Sequence, residues 1–185
     1  MQRWMDQWIE QLLGYFGLEG YLTLLLTIPL TIIQGIFTVF PFASIMILHV
    51  SSLGFIEGFM ISWLLASCAS VLAFLIFRYM FYEWFQKKFA ARLAKHAKWQ
   101  RYMDEYGAWV VIFLRSVPVV PNNIISFMAA VSTIKNSAYI WSTVLGMLSN
   151  VWQLALIGTA IPGYGAAMTA AWIGYFVFCA AILAA

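Results

Sequence analysis

Charge is what this sequence has least of: Asp, Glu, Lys and Arg make up only 9% of its 185 residues, against 64% hydrophobic and 18% aromatic. A soluble domain of this size has no way to bury so much apolar surface, so that class is excluded. Cysteine is nearly absent as well. Cys68 and Cys179 both lie in hydrophobic segments and read as small apolar fillers, which removes a disulfide framework and a cysteine metal site. Two histidines, His49 and His96, cannot assemble a histidine-rich phosphatase or metal centre. There is no HExxH, no GxSxG and no phosphate-binding glycine loop. Ser67 and Ser70 have no evident base that would make either a hydrolase nucleophile. The sequence therefore implies no enzyme, no cofactor, no metal and no nucleic-acid partner.

The few charges are placed unevenly. Between Gly20 and Tyr82 they are Glu57 and Arg78 alone, and beyond Glu105 they are Arg115 and Lys135 alone. Arg115 stands in the run from Val110 to Asn123, a membrane-grade segment interrupted by Pro118 and Pro121 as well as by the charge. Prolines at membrane depth free backbone groups that lipid cannot satisfy, so such a break needs surrounding protein or a wet cavity. An arginine beside it points to an anionic ligand or an internal carboxylate.

Residues 1–18 predict an interfacial amphipathic helix: Trp4, Trp8 and Leu12 recur four apart, opposite Arg3, Asp6, Gln7 and Glu10. Asp6 and Glu10 stand where a cleavable signal peptide needs positive charge. Residues 21–39 are long enough to cross a bilayer, with Pro29 expected to kink the helix. Residues 40–54 are apolar but punctuated by Pro41, Ser44, Ser51, Ser52 and Gly54, and they read as a re-entrant hairpin. A full span is expected at 58–80, where Ala66, Ser67, Ala69 and Ser70 invite close helix approach. Residues 81–106 carry Lys87, Lys88, Arg92, Lys95, Lys98 and Arg101, with Phe85, Phe89 and Leu93 on another face. This basic amphipathic segment is expected at the cytoplasmic leaflet, either as a topology anchor or as a binder of anionic membrane lipids. A broken segment at 109–133, a span at 137–161, a turn at 162–165 and a last span at 166–185 complete the chain.

With the basic segment cytoplasmic, the two hairpin-plus-span units have opposite orientation. They also align without gaps at an offset of 80, pairing Pro41 with Pro121, Ile45 with Ile125, Ser52 with Ser132, Ser62 with Ser142, Leu65 with Leu145 and Val71 with Val151. A proline break followed by a span, repeated in opposite sense, is the pattern of an inverted-repeat transporter with its site near the midplane. The expected fold is an all-α polytopic membrane protein of one domain. Repeat 1 covers 40–80 and repeat 2 covers 109–161, each a re-entrant hairpin plus a transmembrane helix, with extra N- and C-terminal helices.

At these residues the chain resembles the DedA / VTT-domain (SNARE-associated) superfamily of membrane proteins. Gly107 and then Leu114-Arg115-Ser116-Val117-Pro118-Val119-Val120-Pro121 are similar to that family's glycine, arginine and paired prolines before the second re-entrant loop. Phe40-Pro41, Gly54 to Gly58 and Phe77-Arg78 resemble its first hairpin and the end of the next helix. Ala129-Ala130 stands where an Ala-Gly pair is common, Ala43-Ser44 lacks the hairpin carboxylate of the DedA branch, and Val119-Val120 lacks its second arginine. The chain thus looks closest to the single-arginine branch. The resemblance implies a flippase or scramblase for a polyprenyl phosphate or phospholipid, in the plasma (inner) membrane of a bacterium, with the N-terminus and basic segment cytoplasmic.

The candidate substrate-binding residues are Arg115, Pro118, Pro121, Asn122, Asn123 and Pro41. Arg115 offers a planar fork suited to a lipid phosphate headgroup. Asn122 and Asn123 are candidates to cap the helix returning from Pro121, whose N-terminus also favours an anion. An internal ion pair of Arg115 with Glu57, or snorkelling to the interface, is the plainer alternative. Glu57 and His49 are the coupling candidates; an outer-interface position for Glu57 and a locally satisfied His49 are their plain readings. Arg78 is secondary, with Tyr79, Tyr82 and Trp84 suggesting an interfacial anchor. Lys135 reads as another such anchor, while Asn150 and Gln153 are expected to hydrogen-bond across helices. A non-transporting membrane scaffold and an ion-coupled small-solute carrier stay open as alternatives, as does a homo-oligomer.

Overall fold

Prolines and one left-handed threonine set the helix boundaries that matter for function. The computed structural model describes residues 20–39, 41–95, 97–116, 120–158, 172–178 and 180, and every regular element among them is helical. A turn at Gly20–Leu22 leads into α1, Thr23–Phe37. Pro29 lies inside α1, and the helix stops where Thr38 turns left-handed (φ 47°, ψ 50°) and donates its N–H to the Gln34 carbonyl at 3.0 Å. The next helix, α2 (Phe42–Leu53), starts directly after Pro41; α5 (Asn122–Val131) starts in the same way after Pro121. The two prolines share an extended conformation, φ −65° and ψ 129° at Pro41, φ −57° and ψ 138° at Pro121. Proline is tolerated at such a start because the N–H it lacks would have no intrahelical partner anyway.

Between them lie α3 (Phe55–Lys95) and α4 (Ala97–Ser116), and after them α6 (Asn136–Gly158) and a helical stretch α7 (172–178). Two described helical segments are both long and apolar enough to cross a membrane, Gly20–Phe37 and Phe55–Trp84. At ~1.5 Å per residue α6 has the length of a span, about 34 Å, but Asn150 and Gln153 dilute its apolarity. By the same rise α2 and α5 reach only ~18 Å and ~15 Å, against a hydrocarbon core of ~30 Å.

Three expected boundaries differ from the structure. Residues 40–54 do not fold back within themselves, because α2 is one uninterrupted helix through Leu53. No break separates the span at 58–80 from the basic segment. α3 is 41 residues long and runs through the span and on to Lys95 within the basic segment, the rest of which opens α4, since Lys, Arg, Glu, Gln and Ala favour the helix as much as the apolar residues before them. The broken segment expected from Trp109 begins earlier, as the 20-residue α4. The interfacial helix at 1–18, Pro118 and the turn at 162–165 lie outside the described residues, as do Cys179, His96 and the side chains of Phe85, Phe89, Arg92, Leu93, Lys95 and Lys98. The last span is described only at 172–178 and 180.

Burial is arranged for lipid. On α1 the buried residues are Thr23, Thr27 and Thr31, one face at four-residue spacing, while Leu25 is 70% exposed and Phe37 69%. A water-soluble helix shows the opposite pattern, apolar inward and polar outward. Buried hydroxyls continue inside with Ser62, Ser67, Ser70, Ser126, Ser142, Thr143 and Ser149. In hydrocarbon the interior is where a hydroxyl finds partners, and small residues let helices approach.

Packing centres on α3, which is contacted by α1, α2, α5 and α6, while α4 lies mainly against α6. One core cluster joins Phe74 of α3, Val111 of α4, Ile125, Ala129 and Ala130 of α5, Ile134 of the loop after α5, and Tyr139 of α6. A second joins Met46 of α2, Ala66 of α3 and Met147, Val151 and Ala155 of α6. α2 and α3 come close at Gly58, where a Cβ would sit 2.6 Å from backbone atoms of His49 and Val50. No side chain fits there.

Candidate functional site

Arg115 lies in the last turn of α4, where the helix dipole favours a cation, and it is only 1% exposed. Its Nη1 has three acceptors within reach: Ser70 Oγ of α3 at 3.3 Å, Asn122 Oδ1 of α5 at 3.1 Å and Met147 Sδ of α6 at 3.0 Å. Its Nη2 donates to the Tyr139 hydroxyl at 2.8 Å and to Ser126 Oγ at 3.3 Å. Nε has no partner. Tyr139 in turn donates to Ser126 Oγ at 2.8 Å, and Ser126 donates to the Asn122 carbonyl at 3.0 Å. The Tyr139 ring is fixed by stacking on Phe74, centroids 3.8 Å apart and planes within 12°. Gly146 makes room for the arginine stem, since a Cβ there would come within 3.0 Å of Arg115 Cβ and Cδ.

Every one of these partners is neutral. Among the described residues the one ion pair is Lys87 with Glu83, 3.9 Å apart and exposed. A buried cation held by neutral dipoles has paid part of its desolvation cost without the Coulomb gain of a counter-ion. The helix end beside it is satisfied too. Asn150 donates to the Arg115 carbonyl at 3.4 Å, and Gln153 donates to the Ser116 carbonyl and to the Tyr175 hydroxyl. These bonds answer the carbonyls that the proline break leaves unpaired in lipid, so the expected cross-helix role of Asn150 and Gln153 takes a specific form.

A cavity of about 540 Å³ lies on the other side of this cluster. Its lining includes Pro41, Phe42 and Ala43 from the start of α2, Pro121 and Asn122 from the start of α5, and Ser70, Met147 and Asn150. Neither cap residue, Pro41 or Pro121, offers a side-chain cap. The Ser44 N–H is taken by the Pro41 carbonyl, and the Ile124 N–H by the Pro121 carbonyl and Asn123 Oδ1. The N–H groups before them, of Phe42 and Ala43 and of Asn122 and Asn123, have no intrahelical acceptor, so two such ends meet one cavity, a setting that favours an anion. The volume falls within the range of small-molecule sites.

The model of the VTT domain matches residues 40–160, which contain α2 through α6, both prolines and Arg115. The chain belongs to the VTT domain family. Among curated relatives, the uncharacterized membrane protein YhjE of Bacillus subtilis (strain 168) is 24% identical over 137 residues, covering 72% of this chain and 64% of that protein. The uncharacterized protein YqeD of the same organism is 22% identical over 139 residues, covering 75% of this chain and 66% of that protein. The chain thus spans slightly less than two thirds of each relative's length. No solved structure matches it significantly. Membership and the apolar helices together make this VTT-domain chain a membrane protein.

Within the VTT domain the other expected residues fall in different places. Asn122 and Asn123 are not caps: Pro121 holds the cap position, and they are the first two residues of α5. Asn122 instead serves Arg115, and Asn123 Oδ1 accepts the N–H of Ile124 at 2.8 Å. Glu57 is not the counter-ion of Arg115; it is exposed at the start of α3, and its carboxylate accepts the Tyr21 hydroxyl at 2.6 Å. His49 is fully buried, with Nδ1 2.9 Å from Ser62 Oγ and Nε2 2.8 Å from Thr27 Oγ1. Arg78 does more than mark an interface, for it donates to the carbonyls of Ile134 at 2.8 Å and Ser132 at 3.2 Å, just past the end of α5. Its guanidinium also stands 5.2 Å from the Phe74 ring centroid and 5.3 Å from that of Tyr82. Lys135 is exposed beside that loop.

Sequence reasoning missed Tyr139, Ser126 and Met147 as members of the Arg115 cluster, and it read Ser70 as a small packing residue after setting it aside as a nucleophile. A tyrosine near the start of a span is ordinarily an interfacial belt residue. The one signal available was a polar spacing, Asn122 and Ser126 four apart on the α5 face that meets Arg115.

Proposed function

We propose that this VTT-domain protein is a flippase or scramblase that moves an anionic lipid phosphate, such as a polyprenyl phosphate or a phospholipid phosphate, between leaflets. The observation that carries this reading is Arg115, buried without a carboxylate, one wall away from a cavity where the uncapped starts of α2 and α5 meet. A cation at membrane depth costs ~2.5–3.5 kcal/mol on insertion scales, and the usual return is an ion or substrate pathway. A phosphate would neutralise that charge, take bidentate hydrogen bonds from the guanidinium and accept from first-turn N–H groups.

The helix order supports alternating access. A long helix, a short helix started by proline and a second long helix occur twice, as α1–α2–α3 and α4–α5–α6, with Pro41 and Pro121 80 residues apart. Read as inverted repeats with α2 and α5 re-entrant, they put the cavity where such carriers hold their substrate. The positive residues around the α3–α4 junction orient that end to the cytoplasm, with the chain in the plasma (inner) membrane.

The test is transport by the purified protein in liposomes, following a fluorescent lipid phosphate by quenching from outside. Wild type is expected to expose the label from the inner leaflet faster than empty liposomes, and Arg115→Ala to fall to the empty-liposome rate. Rates for both proteins at the empty-liposome level would end the transport reading and leave a scaffold role.

A further inference from the structure

Three of the five Arg115 partners, Ser70, Asn122 and Met147, also line the cavity, yet Arg115 itself is 1% exposed. The guanidinium is therefore one side-chain layer beneath the surface an incoming anion would meet. An arginine has two hydrogens on Nη1 and one on Nε. Here three acceptors share the Nη1 pair while the Nε hydrogen goes unused. The cluster is satisfied in number but not in geometry, and the three acceptors crowded on Nη1 are the ones that line the cavity. Ser70 lies in the interior of α3, and Met147 belongs to the second core cluster. Asn122 is the exception: it is half-buried, it opens a helix, and its Oδ1 has the chemistry of a neutral carbonyl standing where an anionic oxygen would be stronger.

Resting on the transport reading above, we propose that Asn122 is a latch: its side-chain oxygen occupies the phosphate's place on Arg115 and must swing away before the headgroup binds. Rotation of that one side chain removes one of the three acceptors crowded on Nη1 and clears the start of α5, leaving Ser70 and Met147 beside the guanidinium. The latch makes the empty site stable by keeping a buried cation hydrogen-bonded, and it sets a threshold that weakly interacting neutral headgroups do not cross. It also ties binding to α5, because the carbonyl of Asn122 accepts Ser126, which is bonded in turn to Tyr139 and Arg115. Loss of the Asn122 contact on binding leaves that second chain intact, so the guanidinium stays oriented while it changes partner.

This role separates two substitutions in opposite directions. Asn122→Ala removes the competitor, raises the fraction of sites ready for an anion, and is expected to tighten binding roughly three- to tenfold. Asn122→Asp places a carboxylate on Arg115 and is expected to weaken binding by at least about tenfold, with a melting temperature no lower than wild type. The measurement is isothermal titration of the purified protein in an uncharged detergent with dodecyl phosphate as probe, and with inorganic phosphate in parallel. Tighter binding of dodecyl phosphate than of inorganic phosphate identifies a headgroup carrying a chain; the order Asn122→Ala, wild type, Asn122→Asp supports the latch with either probe. If Asn122→Ala binds no better than wild type while Arg115→Ala loses binding, the latch is overturned and the anion site stands. If Arg115→Ala binds as wild type does, the site reading fails as well.

Discussion

Removing one oxygen from Tyr139 tests whether the Arg115 cluster is held as described. In Tyr139→Phe the ring keeps its stacking on Phe74 at 3.8 Å, and what disappears is a hydroxyl that accepts from Arg115 Nη2 at 2.8 Å and donates to Ser126 Oγ at 2.8 Å. A hydrogen bond to a charged group contributes about 1.5–3 kcal/mol, whereas neutral interhelical bonds in a membrane average nearer ~0.6. Tyr139 makes one charged bond, and its own hydrogen is shared between Ser126 Oγ and, at 3.3 Å, the Ser70 carbonyl. The expected loss is about 2 kcal/mol, carried mostly by the charged bond. Tyr139→Leu should cost ~0.5–1.5 kcal/mol more, because the aromatic pair goes too. Reversible unfolding in mixed micelles, followed by tryptophan fluorescence, measures both. A Tyr139→Phe protein within about 0.5 kcal/mol of wild type, the scatter of inert substitutions, would refute the description of Arg115 as a buried cation dependent on this hydroxyl.

Three further substitutions probe the frame. Gly58→Ala puts a Cβ 2.6 Å from the α2 backbone and should cost ~1–3 kcal/mol by overpacking; an unchanged melting temperature would mean that α2 and α3 are not in such contact. Arg78→Ala strips the donors from the Ser132 and Ile134 carbonyls and should destabilise by ~1–3 kcal/mol, with Arg78→Lys recovering part; a neutral result would return Arg78 to a plain interfacial anchor. Glu57→Gln keeps an acceptor for Tyr21 at an exposed site, so stability should shift by less than ~0.5 kcal/mol and the pH profile of transport should not change. A flattened profile would restore Glu57 as a coupling residue.

What could be read from the sequence was whatever broke a local pattern. Arg115 and the prolines stand out because lipid tolerates neither a lone charge nor a broken backbone, and the 80-residue spacing of Pro41 and Pro121 coincides with the starts of α2 and α5. Asn150 and Gln153 were legible for the same reason, as polar groups in an apolar helix. The residues that complete the cluster break no rule. Tyr139, Ser126 and Met147 are ordinary in apolar helices, and they become ligands of Arg115 only through the way α4, α5 and α6 meet. A Glu57–Arg115 ion pair was the plainer alternative to headgroup binding because Glu57 is the one acid between Gly20 and Tyr82; the fold sends one to the surface and buries the other. The length of α3 escaped for a different reason: a change in polarity near residue 81 suggests a boundary, but helix propensity does not change there.

The central claim is that a lipid phosphate lodges between the starts of α2 and α5, against Arg115. Photo-cross-linking with a diazirine-bearing lipid phosphate in liposomes, with the labelled residues mapped by mass spectrometry, tests it directly. Labelling is expected at cavity residues such as Phe42, Ala43 and Asn122, and its loss is expected in Arg115→Ala. Labelling spread over outward-facing residues such as Leu25, Met60 and Phe113, unchanged by that substitution, would contradict the account.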